Sequence, residues 1–432
     1  MAATAVMRKK PRLNAAELEI ELFCRGLSVD PSCLLEDDAR VVARTRAGLG
    51  SGLELVIPGR RKNLWMNVPV EEDFARSSPF RLMLEDTTYF IHHEESQERY
   101  SVVIPPEPVW YNKKTSEGTP MRQIGVLQGT YLGIYLSNSC GFWHRTPSLN
   151  CRFCTTGMNV GVNEVVRKEV EEIVEVCREA KHESGVTFVH FNSGYEGKDG
   201  KGLDLVLPYV QAIKEQVGAL IGVQMLPATD FQKYDRLIEA GVNHFSFCYE
   251  FHNLEYFEKL CPGKAQLFGQ ASFFRALEYT AEKLGTGAVS GEIIAGVEPI
   301  EDTLAAIDYI TGVGAFPTVC IFRPLIGADM EHTPPPDPKE MRHVFRYLYE
   351  ACRKARLPIG IAPNIEVSLI VQPDDAKYLV PHNWRYYWYE GKLRVMRLLA
   401  KPRFRRELRP RHAELSPGVR RSGRAAGGPS SP

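Results

Sequence analysis

Long hydrophobic runs are missing from this 432-residue chain: no stretch approaches the roughly 18 apolar residues that a helix needs to cross a bilayer. An excess of one charge is missing too. Lysine plus arginine and aspartate plus glutamate both total 53, so no global field draws the protein to nucleic acid or to an anionic membrane. Cysteine is sparse, 10 residues in all, which excludes a disulfide-stapled scaffold. The opening MAATAVMRKKPRLNAAELEIE has no apolar stretch behind its basic residues. No secretory leader is read there, and a cytoplasmic protein with reduced thiols is expected. Hydrophobic residues at 44% and charged residues at 25% are ordinary for a folded chain, which excludes wholesale disorder, collagen and coiled coil.

What is present falls into zones. Residues 1–15 read as a disordered tail. Residues 16–128 read as an N-terminal α+β region, with a helical stretch followed by FRLMLEDTTYFIHH and RYSVVIPP, rich in β-branched and aromatic residues. No chemistry attaches to this zone. From 129 to 372 strand and helix patterns alternate six times. The strands are TYLGIYLSN, VTFVHFN, ALIGVQML, VNHFSFCYE, VSGEIIAGV and PTVCIFRPL. The first intervening helix places Val170, Ile173, Val174 and Cys177 at i, i+3, i+4, i+7, with Gly185 as a stop. Such alternation calls for a parallel sheet with crossover helices. The expected class is α/β, a partial (β/α)6 TIM-like barrel with an N-terminal α+β extension and a short C-terminal extension at 373–400. Residues 401–432 hold nine Lys/Arg against two Glu and read as a basic, disordered tail, solvated rather than bound to nucleic acid.

The informative segment is SNSCGFWHRTPSLNCRFCTTG, residues 137–157. It follows the first barrel strand, where parallel barrels carry their active groups. Cys140, Cys151 and Cys154 can serve one metal centre. A structural zinc site wants four ligands, and His144 could be the fourth. Three cysteines without a fourth ligand leave one iron of a [4Fe–4S] cluster open to a substrate or cofactor. The loop's place at the active face favours the open cluster.

A three-cysteine loop after the first strand of such a barrel, with Phe153 just before the last cysteine, resembles the radical S-adenosylmethionine superfamily. Residues from about 129 to 372 carry the resemblance. HFNSGYE (190–196) occupies the position of the family's glycine-glycine-glutamate motif, which assigns Ser193 and Gly194 to the methionine amino group. CYE, ending at Glu250, falls where the family contacts ribose or the amino acid moiety. GEIIAG, with Gly291 and Gly296, is similar to the glycine-x-isoleucine-x-glycine motif. FRPLIGADMEHTPPP (322–336), with Arg323, is similar to the biotin synthase-like and hydrogenase-maturase-like branch. Two features depart from the family. Ten residues separate the first two cysteines where the family usually has three, so GFWHRTPSLN must fold outward. Only one glycine follows the second strand, and Glu196 is one position too late to take the family glutamate's role.

The resemblance implies an enzyme that reductively cleaves S-adenosylmethionine at a [4Fe–4S] cluster, makes a 5′-deoxyadenosyl radical and abstracts hydrogen from a small-molecule substrate. It also implies a low-potential electron donor such as ferredoxin or flavodoxin. No membrane partner and no nucleic acid are expected. The alternative is a structural zinc or iron–sulfur scaffold without radical chemistry. Cys177 and Cys320 read as core, and Cys248 reads as a buried thiol beside Glu250.

Overall fold

The computed structural model describes residues 12–35, 52–59, 62–136, 138–197 and 199–411. Much of both expected tails lies outside them. The inner end of each tail is folded: the first helix begins at Ala15, and the last helix runs beyond residue 400 to Glu407.

Helix α1 (Ala15–Arg25) opens on a capping box. The Asn14 side chain accepts from the Glu17 amide, and the Glu17 carboxylate accepts from the Asn14 amide, so two otherwise unpaired donors are satisfied. Strands β1 (Ser28–Val29), β4 (Phe80–Glu85), β5 (Thr88–His93) and β6 (Glu98–Val102) form one mixed sheet. Strands β2 (Leu53–Ile57) and β3 (Leu64–Val68) form a separate antiparallel hairpin, and the short α2 (Asp73–Arg76) follows it.

The remaining strands make one seven-stranded sheet in chain order: β7 (Val126–Gln128), β8 (Tyr131–Tyr135), β9 (Phe188–Asn192), β10 (Leu220–Gln224), β11 (His244–Glu250), β12 (Val289–Ala295) and β13 (Phe316–Ile321). β7 runs antiparallel to β8. The pairings from β8 to β13 are all parallel. All five residues of β8 are buried, as a strand covered on both faces requires. The crossovers are α3 (Val170–Ser184), α4 (Lys201–Gln216), α5 (Gln232–Ala240), then α6 (Leu254–Leu260), α7 (Pro262–Leu267) and α8 (Gln270–Leu284), and finally α9 (Ile300–Gly312). α10 (Pro338–Lys354) and α11 (Trp384–Glu407) follow β13. The six strand–helix units expected from the sequence are present, curled into a partial TIM-like barrel. Where one helix was expected between β11 and β12 there are three.

The N-terminal hairpin touches the sheet at both rims. Beside β8, the Gly129 amide donates to the Glu54 carboxylate of β2 at 2.6 Å. Just beyond β13, the Arg323 guanidinium donates to the Asn67 carbonyl of β3 at 2.6 Å. The Asn67 amide donates to the Ser368 carbonyl at 2.6 Å. A buried ion cluster adds to this closure: the Lys62 ammonium lies 2.8 Å from Asp374, 2.9 Å from Asp375 and 2.9 Å from Glu366. Among the described residues, no helix is long and apolar enough to cross a membrane.

Candidate active site at the carboxyl mouth

The carboxyl ends of β8 to β11 open on a cavity of about 120 Å³. Tyr135, Asn192, Gln224 and Glu250, the last residues of those four strands, all line it. So do Cys140, Cys151, Cys154, Ser193 and Gly194. The structure therefore brings six of the sequence-assigned site residues together: the three cysteines, Ser193, Gly194 and Glu250.

The loop that carries the cysteines is held at both ends. Phe142 is 1% exposed and stacks on Tyr195, with ring centroids 4.6 Å apart and planes 7° apart. A side chain at Gly263 of α7 would collide with that ring, so glycine is required for the approach. The Gly141 amide donates to the Tyr195 carbonyl. At the other end, the Arg152 amide donates to the Leu260 carbonyl and the Cys154 amide to the Cys151 carbonyl. Residues 144–148 are exposed. The enlarged loop thus projects outward only in its middle, and its first aromatic residue is an inward anchor.

Each thiol has distinct surroundings. The Tyr195 amide donates to Cys140 Sγ at 3.2 Å. Gly194 is pressed so closely against Cys140 that an added Cβ would lie 2.3 Å from the Cys140 Cβ. Thr156 Oγ1 lies 3.0 Å from Cys154 Sγ. Burial pushes the Cys140 thiol up and the Cys154 thiol up to about 12. Cys151 goes the other way: a hydrogen bond with the Cys261 thiol and the nearby Lys264 ammonium hold it below its ordinary range. Cys261 stands behind Cys151 and is not among the residues that line the cavity.

Lys264, on α7, was not legible as a site residue. Its ammonium donates at 2.6 Å to Glu250 and at 2.6 Å to the Cys248 carbonyl. Burial works against this cation, but the Glu250 carboxylate and the surrounding thiols outweigh it and hold the pKa well above the ordinary value. Glu250 has φ +68°, and the β11–β12 register shifts between Cys248 and Glu250. A non-glycine residue in this region costs on the order of 1–3 kcal/mol, and such strain concentrates at functional sites. The bulge turns the Glu250 carboxylate toward the cavity and its cation.

Beneath the mouth, Glu292 of β12 points into the barrel and accepts from Gln224 at 2.5 Å, from Cys248 Sγ at 2.7 Å and from Ser246. Burial raises its pKa. Gly291, Gly296 and Arg323 are not brought to the cavity. A Cβ at Gly291 would meet the Ile310 side chain of α9, and one at Gly296, with φ +93°, would meet Pro336. Both glycines serve close packing. Arg323 donates to Asn67 of the N-terminal hairpin. His144 is exposed and hydrogen-bonded to Ser139.

Among the described residues, no group of three or more His, Cys, Asp or Glu could hold a single metal ion. A tetrahedral zinc draws its thiolates tightly around one centre. In an iron–sulfur cluster each thiolate takes its own iron, so the sulfurs stand further apart. Three free thiols around one cavity, with His144 turned away, are a donor set that fits a cluster with one open iron.

No family model matches the chain. It is 25% identical over 252 residues to bacteriochlorophyllide c C-7(1)-hydroxylase of Chlorobaculum limnaeum; the match spans 53% of this chain and 61% of that protein. Solved structures similar to it include the FeFe-hydrogenase maturase HydG from Carboxydothermus hydrogenoformans (21% identity, 51% of this chain and 50% of that one, TM-score 0.39). Another is methylornithine synthase (19% identity, 63% and 80%, TM-score 0.37). Three thiols, one bulged carboxylate and the Ser193–Gly194 backbone stand together at the carboxyl mouth of the parallel strands. The chain fits the radical S-adenosylmethionine superfamily. The ten-residue spacing between Cys140 and Cys151 is accommodated by the Phe142 anchor.

Proposed function

We propose that the protein is a radical S-adenosylmethionine enzyme acting on a small-molecule substrate. The observation that carries this reading is the gathering of Cys140, Cys151 and Cys154 around one cavity, with Ser193 and Gly194 on its wall. The three thiolates would hold a [4Fe–4S] cluster and leave one iron for S-adenosylmethionine. When bound, these groups supply an electron transfer that splits the sulfonium and a carbon radical able to take hydrogen from an unactivated C–H.

The chain's own residues supply charge, orientation and dryness. Lys264 offsets the negative charge of the thiolates inside a low-dielectric pocket, where compensation is most effective. The Ser193–Gly194 backbone offers carbonyl acceptors to an amino group. Glu250, with one oxygen on Lys264, presents a carboxylate to hydroxyl or ammonium donors. Tyr135, Phe142 and Phe153 exclude water from the same space. The electron comes from a low-potential donor of the ferredoxin or flavodoxin kind. The likeness to a hydroxylase makes oxidation at an unactivated carbon the first net reaction to assay.

Anaerobic reconstitution tests the reading. About four irons per chain are expected, together with 5′-deoxyadenosine on adding S-adenosylmethionine and dithionite. Alanine at any of the three cysteines abolishes both. A chain that takes up one zinc, binds no iron and releases no 5′-deoxyadenosine is a scaffold instead.

A further inference from the structure

The barrel has a second chamber at its opposite end. Tyr131, Phe188, Leu220, His244 and Phe316 are the first residues of β8, β9, β10, β11 and β13, and all five line a cavity of about 380 Å³. Because these strands are parallel, this is the amino mouth, a full strand length from the cysteines. Its floor comes from the chain that follows α10: residues of the 358–374 segment, and Ala400 and Phe404 of α11. The two chambers share a wall. Glu292 lines the lower one, while its partners Gln224 and Cys248 line the upper.

The side walls are aromatic. Tyr131 lies 5.9 Å from Phe188, Phe188 stacks with His190 at 5.7 Å, and His244 stacks with Phe316 at 5.4 Å. Gly222 makes room for this belt: a Cβ there would lie 2.4 Å from the Phe188 ring and 2.6 Å from the His190 ring. The opposite wall is aliphatic, with Ile361, Ile365 and Val367 only partly covered. A cavity of this size, with aromatic and aliphatic faces, is the usual form of a small-molecule site; its lining also includes Asn243, Gln372, Asp374, Arg403 and Glu407.

Hydrogen counting identifies one open position. Nδ1 of His244 lies 3.0 Å from the Ala288 carbonyl, which can only accept, so Nδ1 carries the proton and Nε2 is an acceptor. Ser246 gives its hydroxyl hydrogen to Glu292. Ser290 has one hydrogen and two neighbours that could take it, Ser246 Oγ at 2.9 Å and His244 Nε2 at 3.2 Å. One acceptor of this set is therefore left for an N–H or O–H brought in from outside.

We propose that the amino-mouth chamber is a second ligand site, and that it takes a small, neutral, flat aromatic or heteroaromatic molecule carrying one N–H or O–H donor. The ring lies between the Phe188–His190 and His244–Phe316 stacks and the aliphatic floor. The donor meets His244 Nε2, with Ser290 giving its hydrogen to Ser246. The site is independent of the cluster.

The test uses the full chain, without and with its cluster, and follows indole, 1-methylindole and cyclohexanol by ligand-observed NMR. Indole is expected to bind with a dissociation constant of about 1 mM or tighter. 1-Methylindole, which lacks the donor, binds about fivefold to tenfold more weakly, and cyclohexanol shows no measurable binding. Ala362→Phe, on the lining loop, blocks the chamber and abolishes indole binding. His244→Phe reduces indole to the level of 1-methylindole. Cys151→Ala leaves indole binding unchanged. Circular dichroism checks that each variant folds, and Ala362→Phe alters only a loop should His244→Phe fail that check. Failure of indole to bind at about 10 mM, or binding untouched by Ala362→Phe, overturns the proposal. So does binding lost in Cys151→Ala.

Discussion

Lys264 is one residue whose removal is felt throughout the carboxyl mouth. It and Glu250 form a nearly buried pair at 2.6 Å, with side-chain exposures of 10% and 13%. Breaking such a pair from one side strands the other charge and typically costs about 3–5 kcal/mol, while removing both charges together costs far less. Lys264→Met is therefore expected to lower stability by about 3–5 kcal/mol in urea unfolding, and Lys264→Met with Glu250→Gln to recover most of that. A double variant no more stable than the single one would show that the two do not act as a unit. Gly194→Ala probes the neighbouring wall. Its Cβ would overlap Cys140 at 2.3 Å, so the cysteine must shift; iron retention is expected to fall sharply while circular dichroism stays unchanged. The cysteines could be found in the sequence because ligands of one centre sit close together in the chain. Lys264 could not, because its role exists only after α7 is laid against the bulge of β11. Gly291 and Arg323 were assigned from pattern, and packing explains where they went: one faces α9, the other the N-terminal hairpin.

Among the elements, the cysteine loop depends on one aromatic anchor. Phe142→Ala removes the stack on Tyr195 and leaves a void beside Gly263; core phenylalanine truncations cost about 3–5 kcal/mol, less where the site can collapse. The loss falls on the loop, which is expected to open while the barrel stays folded. Trypsin cleavage after the exposed Arg145 is then expected to speed up by roughly tenfold or more. An unchanged cleavage rate would mean the loop is held elsewhere. The six strand–helix units were legible because period-2 and period-3.6 apolar patterns survive burial. β7 and the helices α6 and α7 were not, since three to seven residues are too few to set a period. The continuation of α11 past residue 400 was hidden by its run of arginines, which helices tolerate as readily as tails do.

For the whole molecule, the Lys62 cluster links stability to pH. Burial and the Asp374 carboxylate raise the Asp375 pKa from 3.8 to about 7. The folded state therefore holds a proton that the unfolded state has given up, so the stabilising contribution of this group is fully present below pH 3.8 and is lost as pH rises toward 7. Asp375→Asn cannot titrate. Between pH 5 and 7 the melting temperature of the native chain should fall relative to that of Asp375→Asn; parallel curves would remove Asp375 as the cause. The carboxylates of this cluster lie on the C-terminal segment and its cation in the N-terminal region, a pairing that no local reading of either stretch reveals.

The N-terminal hairpin has a consequence of another kind. It bonds Gly129 on one side and Arg323 on the other, so one two-stranded element bridges the first and the last parallel strands. A change in the length of that hairpin is therefore expected to be felt at both edges of the barrel, although no hairpin residue lines the cysteine cavity.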